Sequence, residues 1–329
     1  MIRRYCWATA IAMLLAACGA AAPDVAPGGG GTGVPGAAET LGSITSITPL
    51  TVNGFVFAQT SPPSIPVIED NDDDGRGLLP GMILRVQGGF GANEQTRTVI
   101  NASMAAQVRG PVSSNASELR VMGIAVVANN ATVFENQRAD NAGPQVGDEM
   151  QVHGFPTSDG RILATRLVRL ASNAVYKTTG VIKQSPCLCP PDRTLFSIGT
   201  LSVWVPTAVA TKFGQPLQNG MLVRLKADGP PVNNSIVATE IKLHAGLPLL
   251  PEAQSSVQGV VSAVAAENSA AGGSTRLLFL VSGVAATATS ETRFQGGSTS
   301  DLVEGRLVEV QGIARPDGIA AATIKFLPF

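Results

Sequence analysis

The residues best suited to chemistry lie in one short stretch, Glu69 to Gly77, which reads EDNDDDGRG. Asp70, Asp72 and Asp74 alternate with other residues and Gly75 follows. Calcium-binding loops begin this way: carboxylates at positions 1, 3 and 5 supply hard oxygen ligands, and a glycine at 6 permits the sharp turn. Position 12, where a bidentate glutamate should close the shell, is Gly81, and Pro66 and Pro80 argue against flanking helices. The stretch is therefore no EF-hand. Asp70, Asp72 and Asp74, helped by Glu69 or Asp73, could still clip a calcium ion, which would relieve the repulsion among these neighbouring carboxylates.

Other side chains offer less. Cys187 and Cys189, in SPCLCPP, are one residue apart. They could form a tight disulfide, remain free thiols, or contribute to a soft-metal site, although two thiols alone do not fill a tetrahedral shell. His153 falls at a polar strand position and reads as a solvated surface residue, and His244, in KLHAGLP, reads as a loop residue. Trp204, in LSVWVP, is either a core plug or a lone platform for a sugar ring. There is no Gly-x-Ser-x-Gly elbow with plausible partners and no His-Glu-x-x-His. GGGG at Gly28 lacks the preceding strand and the following Lys-Ser/Thr of a phosphate loop. The chain reads as a non-enzyme, with no cofactor expected other than calcium.

The N-terminus suggests where these residues operate. Arg3 and Arg4 precede an apolar run, Trp7 to Leu15, which is of signal-peptide length and too short to span a bilayer. The run ends in Leu15-Ala16-Ala17-Cys18, which resembles a bacterial lipobox. The resemblance implies that residues 1–17 are a lipoprotein signal peptide and that Cys18 is lipidated. Gly19, in place of a retaining Asp, implies by similarity to Gram-negative lipoproteins an outer-membrane address facing the periplasm. That compartment is oxidising, which favours the Cys187–Cys189 disulfide. Residues 18–41, with APGGGGTGVPG, read as a flexible tether. A net charge of −1 and 5% aromatic residues supply neither the basic stripe nor the stacking platforms that nucleic-acid binding needs. The expected partners are the membrane, through the anchor, and envelope proteins or a glycan.

Beyond the tether the chain repeats itself. Four segments open with a glycine and an aliphatic strand: GSITSI at Gly42, GPVSS at Gly110, GVIKQ at Gly180 and GVVSAV at Gly259. Each continues to a strand with a glycine turn, as in LTVNGFVF at Leu50 and LRVMGIAVV at Leu119. Each then reaches a further glycine, Gly81, Gly147, Gly220 or Gly305, that starts another strand. Three residues on stand Leu84, Met150, Val223 and Val308, and five on stand Val86, Val152, Leu225 and Val310. The alternate positions are polar: Arg85, Gln151, Arg224 and Glu309, then Gln87, His153, Lys226 and Gln311. This period of two predicts a half-buried antiparallel strand. Closing strands such as DGRILATRLVRL from Asp159 and DGIAAATIKFL from Asp317 complete each copy. The modules are predicted at 42–106, 107–174, 175–250 and 251–329, each with about five strands.

Five short strands without a helix must hide their edges, and closure into a small barrel does so. The expected fold is all-β: tandem five-stranded OB-like barrels, with SH3-like barrels or a β-sandwich as the alternative. The motifs resemble a bacterial family of OB-like domains of unknown function that occur in tandem in secreted proteins and lipoproteins. The resemblance is closest in copies two and four, and weakest in three, where RLKADG shifts a glycine by two and the cysteine pair lies. It implies fold and location and carries no catalytic residue. The functional expectation is a scaffold, spacer or protein-interaction module, with binding of a small ligand or glycan as the alternative.

Overall fold

The computed structural model describes residues 37–58, 67–69, 77–91, 95–104, 106–136, 143–171, 175–188, 191–244, 249–267 and 276–328. The first module contains β1 (Ala37–Ile47), β2 (Leu50–Val52), β3 (Phe55–Phe57), β4 (Val67–Glu69), β5 (Ile83–Phe90) and β6 (Thr96–Met104). β1 pairs with β2, β2 with β3, β3 in parallel with β6, β6 with β5, and β5 back with β1. Omitting the short β4, this is a closed ring of five strands in the order 1-2-3-5-4.

The same ring recurs. The second module uses β7 (Val108–Ser114), β8 (Arg120–Val121), β9 (Ile124–Val127), β11 (Glu149–Pro156) and β12 (Ile162–Arg169). The third uses β13 (Tyr176–Leu188), β14 (Arg193–Ile198), β15 (Leu201–Pro206) and β16 (Leu222–Ala227), and its fifth strand is split into β17 (Ser235–Val237) and β18 (Glu240–Leu243). The fourth uses β19 (Gln254–Glu267), β20 (Arg276–Val281), β21 (Val284–Ala288), β23 (Leu307–Arg315) and β24 (Gly318–Phe326). Between third and fourth strands lies an insertion. It is a short strand parallel to the fifth in modules one, two and four: β4, β10 (Val133–Glu135) and β22 (Arg293–Gln295). In module three it is a helix, α1 (Thr207–Phe213).

Two recurrent glycines explain the shared motif. Gly81, Gly147, Gly220 and Gly305 have φ of 85°, 88°, 89° and 88°, a left-handed conformation costly for any residue with a Cβ. Each is the third residue of a turn closed by bonds such as Asp148 N–H to Gln145 O, 2.9 Å. Its own N–H donates to the first strand, at Ile44, Val112, Ile182 and Val261 respectively. The second glycine lies within the fourth strand, where the ladder to the fifth shifts register at Gly88, Gly154 and Gly312. A Cβ at these positions would fall 1.7–2.0 Å from a fifth-strand carbonyl oxygen.

The cores follow the alternation read from the sequence. Leu84 and Val86, Met150 and Val152, Val223 and Leu225, and Val308 and Val310 are all buried. One correction concerns the tether. Its last residues, Ala37 to Leu41, begin β1, and Ala38, Glu39, Thr40 and Leu41 are buried. Both edges of this stretch are paired, with β5 on one side and β19 on the other.

Candidate functional site: a polar seam between the barrels

In each ring the second strand covers only the far half of the first, so the near half keeps one open edge. These open edges pair with each other. β1 runs parallel to β19 from Ala38–Gln254 to Leu41–Val257, and β7 runs antiparallel to β13 at Arg109–Lys177 and Val108–Thr178. Modules one and four thus share one sheet, and modules two and three another. The two pairs also touch. Thr165 Oγ1 donates to Gly81 O at 2.5 Å and an Arg166 N–H donates to Pro80 O at 2.8 Å. Phe155 and Leu163 of module two pack into the apolar cluster of module four, beside Leu41 and Ile83 of module one.

This packing buries polar residues. Three residues before the first-strand glycine stand Glu39, Gln107, Lys177 and Ser256, with exposures of 1, 3, 0 and 2%. Of the polar fourth-strand positions, Gln151, His153 and Glu309 are buried and Arg85, Gln87, Arg224, Lys226 and Gln311 are half-buried. His153 is therefore not a solvated surface residue. The polar side of the strand faces other barrels, and β11, which carries His153, packs against β13 and β19.

Within the seam, polar groups bond each other in part, while Gln107 Oε1, Gln151 Oε1 and His153 Nδ1 are buried with no hydrogen-bond partner among the described residues. Gln151 Nε2 lies 2.9 Å from His153 Nε2, and Arg166, opposite His153 on β12, is ion-paired with Glu135. Burial, reinforced by the Arg166 charge, lowers the His153 pKa to about 3, so the imidazole is neutral. Glu39 Oε1 accepts from Leu250 N–H (3.1 Å) and Gln87 Nε2 (3.4 Å), and burial pushes its carboxyl up from the ordinary value. Glu309 Oε1 accepts from Gln311 Nε2 (2.6 Å) and Ser256 Oγ (3.4 Å), and burial raises it too. Burial lowers Arg85, with Arg224 of module three acting in the same direction and Glu39 opposing. Such a network holds surfaces in register.

The residues singled out in the sequence are not brought together here. Trp204 is half-buried on the outer side of β15, between the inward Val203 and Val205, with the Arg193 guanidinium 5.8 Å from its ring centroid. It is not a core plug, since strand alternation turns it away from the barrel interior. His244 follows β18 outside any strand, 3.2 Å from an Arg224 nitrogen. Cys18, Asp70, Asp72, Asp74, Cys189 and the side chain of Cys187 lie outside the described residues. Among the described residues no three His, Cys, Asp or Glu side chains converge as a metal site, and no helix is long and apolar enough to cross a membrane. The sequence reading missed Arg97 of β6, which is 3% exposed with its guanidinium 4.2 Å from the Phe55 ring centroid and 4.6 Å from that of Phe90. It borders a cavity of about 180 Å³ between modules one and four. A charged residue inside the loosely matching strand NEQTRTVINASMAA was the available signal.

Fold and seam define a class: a chain of small five-stranded OB-like barrels in tandem, packed through their outer faces. Residues 109–167 and 258–325 match a family described as a domain of unknown function (DUF5666). These stretches cover the second and fourth barrels, the copies with the most regular motifs. No curated protein matches the chain.

Proposed function

We propose that the chain is a non-catalytic envelope lipoprotein that acts as a scaffold or spacer for protein interaction. The observation that supports this reading best is the continuity of the sheets across module boundaries at β1–β19 and β7–β13. Domains joined by linkers move by default, whereas a shared hydrogen-bonded sheet with a buried seam resists hinge motion. Such a body suits holding a partner at a fixed place. In this reading Cys18 carries acyl chains that anchor the protein to the outer membrane, facing the periplasm, and residues 19–36 form the tether. Asp70, Asp72 and Asp74 would serve at most as a structural calcium clip, which calorimetry with calcium would detect.

The test is affinity capture of the full chain from detergent-solubilised envelope, with labelled palmitate to read the anchor. The expected result is a reproducible envelope protein partner and a label that Cys18→Ser abolishes. Recovery of no specific partner would overturn the scaffold reading, and label surviving Cys18→Ser would overturn the anchor.

A further inference from the structure

The geometry points to a binding site for one neutral sugar ring in the cavity where barrel one meets barrel four. This goes beyond the scaffold reading and does not depend on it. The cavity sits beside the β1–β19 junction, at the mouth of barrel one, and is roofed by the outer face of barrel four. Its volume of about 180 Å³ has room for one substituted six-membered ring, given that a cavity of roughly 150 Å³ accepts benzene.

The lining selects the chemistry. Gln254, Ser256, Gln311 and Thr323 contribute amide and hydroxyl groups that both donate and accept, as a polyol requires. They belong to three adjacent strands, β19, β23 and β24, with Ser256 opposite Gln311 and Gln311 opposite Thr323. Cross-strand partners point to the same side of a sheet, so these groups form one polar wall. Several are already oriented: Asn53 Nδ2 donates to Ser256 Oγ at 3.0 Å, and Gln311 Nε2 to Glu309 at 2.6 Å. Facing them, Arg97 lies against Phe55 and Phe90 and donates to Gln254 Oε1 at 3.2 Å. A planar guanidinium with several N–H donors suits a pair of vicinal hydroxyls. The charged lining residues are one cation, Arg97, and one acid, Glu39, so the lining offers no cluster of one sign to hold an ion.

The experiment is calorimetric titration of the full mature chain with methyl β-D-glucopyranoside, methyl N-acetyl-β-D-glucosaminide and, as the anionic comparison, succinate. One of the pyranosides is expected to bind in a 1:1 ratio. Thr323→Val keeps the shape and β-branching but removes the hydroxyl, and Gln311→Ala removes the amide. Each is expected to weaken binding about tenfold, the effect of one lost hydrogen bond, while Thr323→Val leaves the melting temperature unchanged. Absence of binding by both pyranosides, binding indifferent to Thr323→Val, or binding of succinate alone would each overturn the assignment.

Discussion

Acid should loosen this assembly through one buried imidazole. His153 is fully buried and its pKa falls from 6.5 to about 3, with desolvation the main cause and Arg166 the second. Between those values the unfolded chain binds a proton that the folded chain refuses. Stability from this group is therefore complete above pH 6.5 and drains as pH falls towards 3, at about 1.4 kcal/mol per pH unit. From pH 7 to pH 5 the loss comes to about 2 kcal/mol. Glu39 and Glu309 act in the opposite sense, because their raised values favour the protonated folded state. Their contribution is full below the ordinary glutamate value and is lost as pH rises through their folded values. The lowered carboxyls, Asp159, Asp192, Glu240 and Asp301, lose stability only nearer and below the ordinary carboxyl range. The assay is urea unfolding of the native chain and His153→Gln across this pH range, in which every other group cancels. The native chain should lose about 2 kcal/mol more than the variant between pH 7 and pH 5. Parallel stability curves would refute the placement of a neutral imidazole in the seam.

Four further outcomes follow from the packing. Glu39→Gln should stabilise the fold at pH 7, and the advantage should vanish below the ordinary glutamate value of 4.5, as read by urea titration at both pH values. Gly305→Ala meets no atom within 4 Å and should cost about 1–2 kcal/mol from its positive φ alone. Gly312→Ala puts a Cβ 2.0 Å from Ala320 O, so it should cost more and weaken amide-exchange protection along β24. Phe155→Ala removes a buried ring that joins module two to the core of module four and should cost about 3–5 kcal/mol by denaturant unfolding. A loss under 1 kcal/mol would show that the modules do not share that core.

The barrel was legible because its constraints are local. The period of two marked which of Leu84, Arg85, Val86 and Gln87 face inward, and the turn glycine before them carries a backbone conformation that other residues resist. The assembly was not legible, because a polar residue on an outer strand face looks the same whether it meets water or another barrel. His153 and Gln151 carry no sequence mark of burial, and Ala37 to Leu41 read as tether because nothing local marks their pairing with β5 on one edge and with the distant β19 on the other. The cavity was hidden for the same reason: Arg97 and Gln254 meet only after two barrels dock. The acidic stretch drew attention by composition, yet it belongs to the insertion between third and fourth strands, the segment in which the four modules differ most.

Module three tests the role of the strand-four glycine without any mutation. Where Gly88, Gly154 and Gly312 stand in the other copies, it has Ala227, and its glycine comes two residues later at Gly229. In the glycine-containing copies the ladder runs past this position, as in Gly154 to Ala164 and Phe155 to Leu163. In module three it stops at Lys226–Glu240, and the fifth strand breaks between β17 and β18. A methyl at this position would collide with the fifth-strand carbonyl, so the strand has moved away, and Gly229 meets nothing within 4 Å. The shifted glycine that makes this copy the weakest match is therefore the cause of its altered sheet. The ring still closes, because β15 pairs with β17 and β16 with β18 on either side of the break. Closure depends on the turn glycine, which all four modules keep, whereas the bulge glycine governs only how far the last hairpin extends.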